Sequence, residues 1–274
     1  MNKLKRNERL IDLTQQFLNK PFTLISLNYF SKRYQAAKSS ISEDIDIINE
    51  LFMNEGIGEL VSIVGATGGI KYVPNISRQE AIETIESISK ELSNGERLLL
   101  GQFLYMVDIL GNPLWVKQIG RIFASEFIKE DIDAIVTIET KGIPLAYSTA
   151  SFLNVPVLVV SKNSKIAEGS VVTINYISGS TGRIQTMSLA KRSLKTNANV
   201  LIIDDLMKAG GTINGVINLL KEFNANIKGI GVFIEVDGVE EKLFNQYVSL
   251  LRLIEVNEKE KRVKVELGNY FENR

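Results

Sequence analysis

The chain has 274 residues, of which 45% are apolar and 23% are charged, with 32 acidic and 32 basic side chains. That length suits two unequal domains, and the apolar fraction is enough for a sizeable core. Cysteine and histidine are absent, which excludes disulfides, thiolate or imidazole metal sites, cysteine nucleophiles and histidine bases. No apolar run is long enough for a signal peptide or a membrane span, so we expect a cytoplasmic protein with no membrane partner.

The first 74 residues predict three helices followed by two strands. The expected elements are helices over 7–19, after Ser26 and after Ser40, and strands over 60–64 and 70–73. Ser40 and Glu43 fit a capping box at the start of the third helix. Its predicted buried stripe is Ile41, Ile45, Ile48 and Phe52. A glycine-rich loop between the strands favours a hairpin, and three helices followed by a hairpin is the order of a winged helix.

Basic and hydroxyl side chains in this segment are the candidates for contacts with double-stranded DNA. They are Lys3, Lys5, Arg6, Arg9, Lys32, Arg33, Lys38, Ser39, Ser40 and Ser42. Cations neutralise phosphates, and the start of a helix can meet phosphates or base edges. The net charge of zero gives no further support for DNA binding. The alternative is that residues 1–74 form a dimerisation or protein-contact module.

The third helix also has an acidic outward face in this prediction. The acids on that face are Glu43, Asp44, Asp46 and Glu50. Because carboxylates repel phosphates, we expect DNA contacts from the helix amino terminus, the basic arm and the wing, with little insertion of the middle of the helix.

The rest of the chain predicts an α/β domain. A helix over 77–93 would bridge the two parts, and apolar strands then alternate with helices. The strand candidates are 103–107, 134–138, 156–160, 200–203 and 229–235, and the helices between them include 114–127, 144–152 and 213–223. Apolar strands connected by helices indicate a parallel sheet covered on both faces. We therefore divide the chain into residues 1–74 and 75–274.

The most informative segment is Val200–Thr212, in which a buried strand leads to two aspartates, a short loop and a helix start. The backbone amides of 209–212 can bind a phosphate at the helix amino terminus, and the glycines allow its close approach. Asp204 and Asp205 would then lie at the distance of a ribose, where they can accept hydrogen bonds from its hydroxyls, and Lys208 adds positive charge. The alternative is an ordinary strand–turn–helix junction with surface acids.

This segment resembles the phosphoribosyl pyrophosphate (PRPP) signature of type I phosphoribosyltransferases. Residues 133–144 look like the pyrophosphate loop of the adenine and xanthine members, with Lys141 and Gly142 at the positions of its basic residue and glycine. As an alternative, Lys141 and Gly142 form only a turn before a helix. The full set of candidate effector-binding residues is Asp204, Asp205, Lys208, Ala209, Gly210, Gly211, Thr212, Thr140, Lys141, Gly142, Met207, Phe103 and Tyr105.

The segment over 161–199 lies where these enzymes have a mobile lid. Arg183, Lys191 and Arg192 could reach phosphates from it, although a solvated face explains them equally well. Glu168 is the nearest candidate for the glutamate that adenine enzymes have in that loop. Ala209 occupies a position where many of the enzymes have threonine, so the chain keeps the phosphate and ribose contacts but departs from a catalytic site.

A winged helix before such a domain resembles the purine operon repressor family of Gram-positive bacteria. The resemblance covers essentially the whole chain and includes Ala36–Asp44, Thr140–Ala146 and the PRPP loop. It implies a homodimeric repressor of purine biosynthesis genes without transferase activity, induced by PRPP with Mg²⁺. A purine nucleotide or alarmone such as ppGpp would compete in the same site. The alternatives are an active purine phosphoribosyltransferase with an appended DNA-binding domain, and a protein-interaction module with a degenerate pocket.

Overall fold

The computed structural model describes residues 4–65, 67–101, 103–162, 169–177, 183–238 and 246–272. Lys3 and Glu168 lie outside these ranges, as does part of the segment 161–199, so the predictions made for them have no structural outcome.

The amino-terminal part is a winged helix. Its elements are α1 (Arg6–Leu18), α2 (Leu27–Tyr34), α3 (Lys38–Asn54) and an antiparallel hairpin of β1 (Gly58–Ile63) and β2 (Gly69–Pro74). The helices bury one side each around Phe17, Phe30 and Tyr34. The predicted stripe of α3 is confirmed, because Ile41, Ile45, Ile48 and Phe52 are all buried.

The predicted capping box of α3 is wrong. The helix begins at Lys38 with Ala37 as its N-cap, and no side chain caps it. Helix α2 ends at Gln35 in the left-handed conformation, with a φ of 51°. Because only three residues then separate α2 from the new helix start, Ser40 lies within the first turn of α3, where it cannot act as a cap.

The remaining elements alternate between strands and helices. They are α4 (Arg78–Leu92), β3 (Leu98–Leu99), β4 (Phe103–Leu104), α5 (Val107–Gly111), α6 (Pro113–Glu126), β5 (Ala134–Ile138), α7 (Ile143–Leu153), β6 (Val157–Val160), β7 (Val171–Ile177), β8 (Ile184–Ala190), β9 (Asn199–Met207), α8 (Gly211–Lys221), β10 (Asn226–Val236), β11 (Val248–Asn257) and β12 (Arg262–Leu267), with 3₁₀ turns at Gly95–Arg97 and Asn269–Phe271.

Six of these strands form the central sheet, in the order β12-β11-β10-β9-β5-β6. Every neighbouring pair is parallel except the antiparallel pair β11–β12. Helices α4 to α7 cover one face of the sheet, while α8 and the antiparallel hairpin β7–β8 cover the other. Side chains of β5 alternate between the two cores, with Ile135 on one face and Val136 on the other. The predicted α/β class is confirmed.

The strand predicted over 103–107 is wrong. Only Phe103 and Leu104 form a strand, and they pair with β3 in a short hairpin outside the central sheet. The chain then enters α5 at Val107. Asp108 in the first turn of α5 receives two hydrogen bonds from Arg97, at 2.7 and 2.8 Å, which joins the two segments. This pairing across the hairpin stabilises a helical turn that the apolar run alone did not indicate.

The strands β11 and β12 are not among those predicted from the sequence. β11 and β12 form the carboxyl-terminal edge of the sheet, where β12 has exposed charged side chains at alternate positions. Alternation of this kind is typical of a half-exposed antiparallel edge strand, whereas the strands predicted for this part of the chain are uninterrupted apolar runs.

Candidate functional site

The candidate ligand site lies where β9 ends and α8 begins. Asp204 and Asp205 are close to the carboxyl end of β9, and Gly210 is the N-cap of α8 with a φ of +81°. That conformation favours glycine and directs the chain into the helix. The amides of the first turn of α8 have no intrahelical partner and therefore face the cavity beyond them.

This cavity has a volume of about 470 Å³. Its lining brings together ten predicted site residues: Thr140, Lys141, Asp204, Asp205, Met207, Lys208, Ala209, Gly210, Gly211 and Thr212. Ile138, Glu139, Lys162, Leu206 and Ile213 also line it. Phe103 and Tyr105 do not, and they are 63% and 41% exposed. Their hairpin lies outside the central sheet, which is why the structure does not bring them to the carboxyl edge with the other residues.

Gly142 lies under the wall of this cavity, as the buried N-cap of α7. A Cβ at this position would lie 2.4 Å from Oγ1 of Thr137 and 2.9 Å from Oδ1 of Asp204. Glycine therefore allows the loop after β5 to pack directly against the acid of β9. The buried hydroxyl of Thr137 has no hydrogen-bond partner among the residues that the structure describes.

The two aspartates share a poorly solvated position. Burial raises the pKa of Asp204 well above its ordinary value, and the charge of Asp205 raises it further. Burial also raises the pKa of Asp205, while a hydrogen bond with Asp204 and the charges of Lys141 and Lys162 oppose that rise. Adjacent carboxyl groups of this kind resist being ionised together. Hydroxyl donors or a cation brought by a ligand would favour the ionised forms.

Lys162 and Glu139 are site residues that the sequence interpretation missed. Glu139 accepts hydrogen bonds from Oγ of Ser161 at 3.0 Å and from the backbone N–H of Lys162 at 2.6 Å. These bonds fix the end of β6 beside the loop after β5, so that Lys162 lines the cavity. No motif marks Lys162 in the sequence. The available signal was a cation two residues after a strand at the carboxyl edge, where parallel strands place their ligand contacts.

The described part of the predicted lid is the hairpin β7–β8, which packs on α8. A Cβ at Gly215 would lie 2.6 Å from Cε of Met187 and 3.0 Å from Cβ of Tyr176. Burial raises the pKa of Tyr176, and a hydrogen bond with Thr212 lowers it. The hairpin thus contacts the first turn of α8. Arg183, Lys191 and Arg192 are exposed and do not line the cavity.

Two predicted DNA-contacting arginines have other partners. Arg9 is 8% exposed, and Asp44 is fully buried instead of lying on the outward face of α3. Arg6 and Arg9 both donate to Asp44, with Arg6 at 3.0 Å. The prediction that Asp44 faces outward is therefore wrong, and Arg9 is not available to a phosphate. Helical periodicity describes one helix at a time, so it does not show that a cation of α1 and an acid of α3 pair across two helices.

Arg33 is also engaged within the winged helix. Its guanidinium donates to both carboxylate oxygens of Asp12, at 2.8 and 3.0 Å, and Tyr34 donates to the same group at 2.6 Å. The hydrogen bond from Arg33 is the main reason why the pKa of Asp12 is lowered. Arg33 thus connects α2 to α1, and the guanidinium donors that bind Asp12 are not available to a phosphate.

The remaining candidates are accessible. Lys5, Arg6, Lys32, Lys38, Ser39 and Ser42 are exposed, and Ser40 is half-buried. Lys38, Ser39 and Ser40 form the first turn of α3, whose amides have no side-chain cap. Glu43, Asp46 and Glu50 are exposed further along the same helix. This arrangement favours anion contacts at the amino terminus of α3 and disfavours them along its middle.

Comparisons with known proteins agree with both halves of this description. A model described as the amino-terminal domain of the bacterial purine repressor matches residues 5–74, and a model of the phosphoribosyl transferase domain matches residues 107–266. The purine biosynthesis transcriptional repressor PurR of Bacillus subtilis (strain 168) is 55% identical over 98% of this chain and 94% of its own length. The chain belongs to the PurR family of transcriptional regulators.

This family includes proteins named for opposite effects. The purine biosynthesis transcriptional activator PurR of Lactococcus lactis subsp. lactis (strain IL1403) is 41% identical to this chain over 99% of it and 100% of that protein. Among solved structures, adenine phosphoribosyltransferase from Thermoanaerobacter pseudethanolicus covers 61% of this chain and 99% of its own, with a TM-score of 0.53 and 20% identity. That likeness establishes the shared fold of the carboxyl-terminal part.

Within the described ranges, the helices lack the combined length and apolar character that a bilayer span requires.

Proposed function

We propose that this chain is a DNA-binding transcriptional repressor of purine biosynthesis genes that senses PRPP. Residues 1–74 would bind the operator and residues 75–274 the effector, in the cytoplasm where the operator is found. The observation on which the proposal depends is the cavity in which Asp204, Asp205 and the amino terminus of α8 face Lys141. Membership of the PurR family supports the DNA-binding role.

The cavity offers a contact for each part of PRPP. The amides at the start of α8 would bind the 5′-phosphate, because a helix amino terminus favours anions. Asp204 and Asp205 would accept hydrogen bonds from the ribose hydroxyls, which overcomes the cost of holding two buried carboxyl groups together. Lys141 and Lys162 would face the pyrophosphate.

A magnesium ion fits this donor set only together with the ligand. Among the described residues no three acidic side chains converge on one point. Mg²⁺ in proteins is commonly held by one or two carboxylates together with phosphate oxygens. Asp204 and Asp205 are the side chains that would hold it, and the ion would neutralise charge on the pyrophosphate.

Thermal unfolding with and without PRPP and Mg²⁺ tests the site directly. A ligand at about 100 times its Kd stabilises the folded state by about 2.7 kcal/mol, and we expect this gain in the wild type and its loss in Asp205→Ala. Asp237→Ala is the matched control, because Asp237 is an exposed acid beyond β10 at the same edge and does not line the cavity. Equal stabilisation of all three proteins would place the ligand elsewhere.

DNA binding would use the accessible cations of the winged helix and the amino terminus of α3. We propose a homodimer, because bacterial operators are commonly symmetric and a two-fold protein matches them. A purine nucleotide or an alarmone such as ppGpp would compete with PRPP in the cavity, since both offer phosphates and a ribose to the same groups.

We propose that the protein does not transfer the phosphoribosyl group. Ala209 stands where many enzymes of this fold have threonine, and the relatives of similar length are named as regulators. The second candidate, an active purine phosphoribosyltransferase, is supported by the retained PRPP loop. Release of pyrophosphate from PRPP in the presence of purine bases would establish the second candidate.

The experiment that tests the regulatory proposal is a titration of the protein onto DNA from upstream of a purine biosynthesis operon. The titration is repeated with PRPP and Mg²⁺, and with ppGpp added as a competitor. We expect specific binding that PRPP weakens. Binding that PRPP strengthens would reverse the sign of the switch, as the name of the lactococcal relative suggests for that protein. An absence of specific binding under both conditions would overturn the proposal.

A further inference from the structure

Helix α7 extends from the candidate ligand site to the winged helix. Its N-cap is Gly142, which follows Lys141 in the wall of the cavity. Its C-cap is Asn154, whose side-chain amide donates to Oγ1 of Thr23 in the winged helix at 3.2 Å. Eleven residues of α-helix span about 16 Å. A single rigid element therefore contacts both the ligand loop and the DNA-binding part.

A second helix is packed too closely against α7 to move independently of it. A Cβ at Gly120 in α6 would lie 2.2 Å from Oγ of Ser148 and 2.7 Å from its carbonyl carbon. The backbones of α6 and α7 are therefore in direct contact at this crossing. Because packed helices have low compressibility, a displacement of α7 is transmitted to α6.

The residue after Gly120 connects α6 to the winged helix. The guanidinium of Arg121 donates to the carbonyl oxygen of Gly56 at 2.8 Å, to that of Asn75 at 2.7 Å and to Glu80 at 2.8 Å. Gly56 follows the carboxyl end of α3, Asn75 follows β2, and Glu80 is in the first turn of α4. The Arg121 side chain, 15% exposed, thus connects α6 to the two ends of the β1–β2 hairpin and to α4.

Two further contacts secure the same junction. Oγ of Ser125, one turn after Arg121, donates to Oδ1 of Asn75 at 2.7 Å. On the other side, Phe22 precedes Thr23 and packs against the core beneath α4 to α7. Contacts of the winged helix with α6 and α7 therefore include three hydrogen-bonding side chains, Arg121, Ser125 and Asn154.

We infer that the unit of α6 and α7, acting through Arg121 and Asn154, is the route by which a ligand at Thr140–Gly142 changes the position of the winged helix. This inference rests on the proposed function. A pyrophosphate bound at Lys141 and at the first turn of α7 alters the loop that begins α7. The winged helix is held by the same unit at Thr23, Gly56 and Asn75, so a displacement of the unit moves the start of α3 relative to the DNA. Arg121 and Asn154 are positioning residues and touch neither ligand.

The test measures a coupling factor, defined as the ratio of the DNA dissociation constants with and without saturating PRPP and Mg²⁺. The full-length protein is used, and the PRPP dissociation constant is measured separately without DNA. For Arg121→Gln we expect both separate affinities to stay within about twofold and the coupling factor to move about threefold to tenfold toward one. The matched control is Lys117→Gln, an exposed cation one turn earlier on α6.

A second pair of variants decides the matter if Arg121→Gln fails to fold. Asn154→Gly keeps the left-handed C-cap and Thr23→Val keeps the side-chain shape, while each removes the hydrogen bond between the domains. Each should reduce the coupling factor, and the double variant should reduce it no further. A wild-type coupling factor in these variants, with DNA and PRPP binding intact, overturns the route.

Trp115, the single tryptophan, lies in α6 and provides a readout without DNA. We expect PRPP to change its fluorescence emission both in the wild type and in Arg121→Gln, because Arg121 connects α6 to the winged helix and the substitution leaves the contact between α6 and α7 in place. An unchanged emission in the wild type despite bound PRPP would also overturn the inference. If instead PRPP leaves DNA binding by the wild type unaltered, the proposed function itself has failed, and the coupling factor of one identifies that case.

Discussion

Two carboxyl groups near the end of β9 occupy a position that lowers the stability of the folded protein. Asp204 is buried, and its Oδ1 accepts a hydrogen bond from the backbone N–H of Asp205 at 3.0 Å. Burial and the adjacent acid raise the pKa of Asp204, so the folded state binds its proton more tightly than the unfolded state does. Ligand-binding sites commonly contain groups that destabilise the folded protein when no ligand is bound.

The substitution Asp204→Asn should stabilise the unliganded protein at neutral pH. Because the pKa of Asp204 is raised in the folded state, its carboxyl group contributes most to the stability of the fold below its pKa in the unfolded chain, near 3.8. That contribution is lost as the pH rises through the pKa in the folded state. The gain from asparagine should therefore be largest at neutral pH and disappear in acid. Urea unfolding as a function of pH measures it, and a gain that grew toward low pH would contradict the assignment. PRPP binding should weaken in the same variant.

A second residue-scale prediction concerns Asp44. Its removal leaves Arg9 buried without its carboxylate partner, and breaking a buried pair costs about 3–5 kcal/mol. We expect Asp44→Ala to lower the free energy of unfolding of the winged helix by that order. Asp46→Ala, on the exposed side of the same helix, should change it by less than about 0.5 kcal/mol. Equal effects on calorimetric unfolding would mean that Arg9 and Asp44 do not form the pair.

At the scale of elements, the glycines of the helices differ in what surrounds them. Gly120 faces Ser148 of α7 at the crossing of two helices, whereas a Cβ at Gly111, the last residue of α5, would meet nothing within 4 Å. Intrinsic helix propensity favours alanine over glycine by about 1 kcal/mol. Packing therefore decides the sign of the effect at each position.

The substitution Gly120→Ala should destabilise the protein by about 1–3 kcal/mol, because the added methyl group has to separate α6 from α7. Gly111→Ala should be neutral or stabilise by up to about 1 kcal/mol. Thermal unfolding of both variants under identical conditions compares them. Stabilisation by Gly120→Ala would mean that the two helices are farther apart than the structure places them.

For the whole molecule, the distribution of charge decides how DNA is bound. The net charge is zero, Arg9 is buried against Asp44, and α3 exposes acids beyond its first turn. The cations that remain accessible around the start of α3 include Lys32 and Lys38. Binding should therefore depend on a small number of phosphate contacts near one helix end.

We expect Lys38→Gln to weaken binding to all DNA sequences about equally and to reduce the slope of log K against log salt by about one. Lys228→Gln, an exposed cation on β10 far along the chain in the other domain, should leave the slope unchanged. Measurements of the DNA dissociation constant between low and physiological salt give both slopes. An unchanged slope for Lys38→Gln would move the DNA surface away from the start of α3.

The sequence by itself determined the features that are local in the chain. The strand, the two aspartates and the glycine-rich start of α8 are contiguous, so the local conformation alone brings Asp204, Asp205 and Gly210 to one edge. The winged-helix order and the parallel sheet followed from periodicity for the same reason. The ten predicted residues that line the cavity belong to only two short segments.

The tertiary structure alone decided the contacts between distant segments. Arg9 and Asp44 are 35 residues apart, and no periodicity shows that a cation and an acid on two helices will be buried together. Lys162 and Glu139 are in contact because β5 and β6 pair. Phe103 lies outside the site because its hairpin does not join the central sheet. Arg121 reaches three segments of the chain through packing between domains. Such pairings depend on how elements pack in space, and a pattern read along one segment holds no information about its partner.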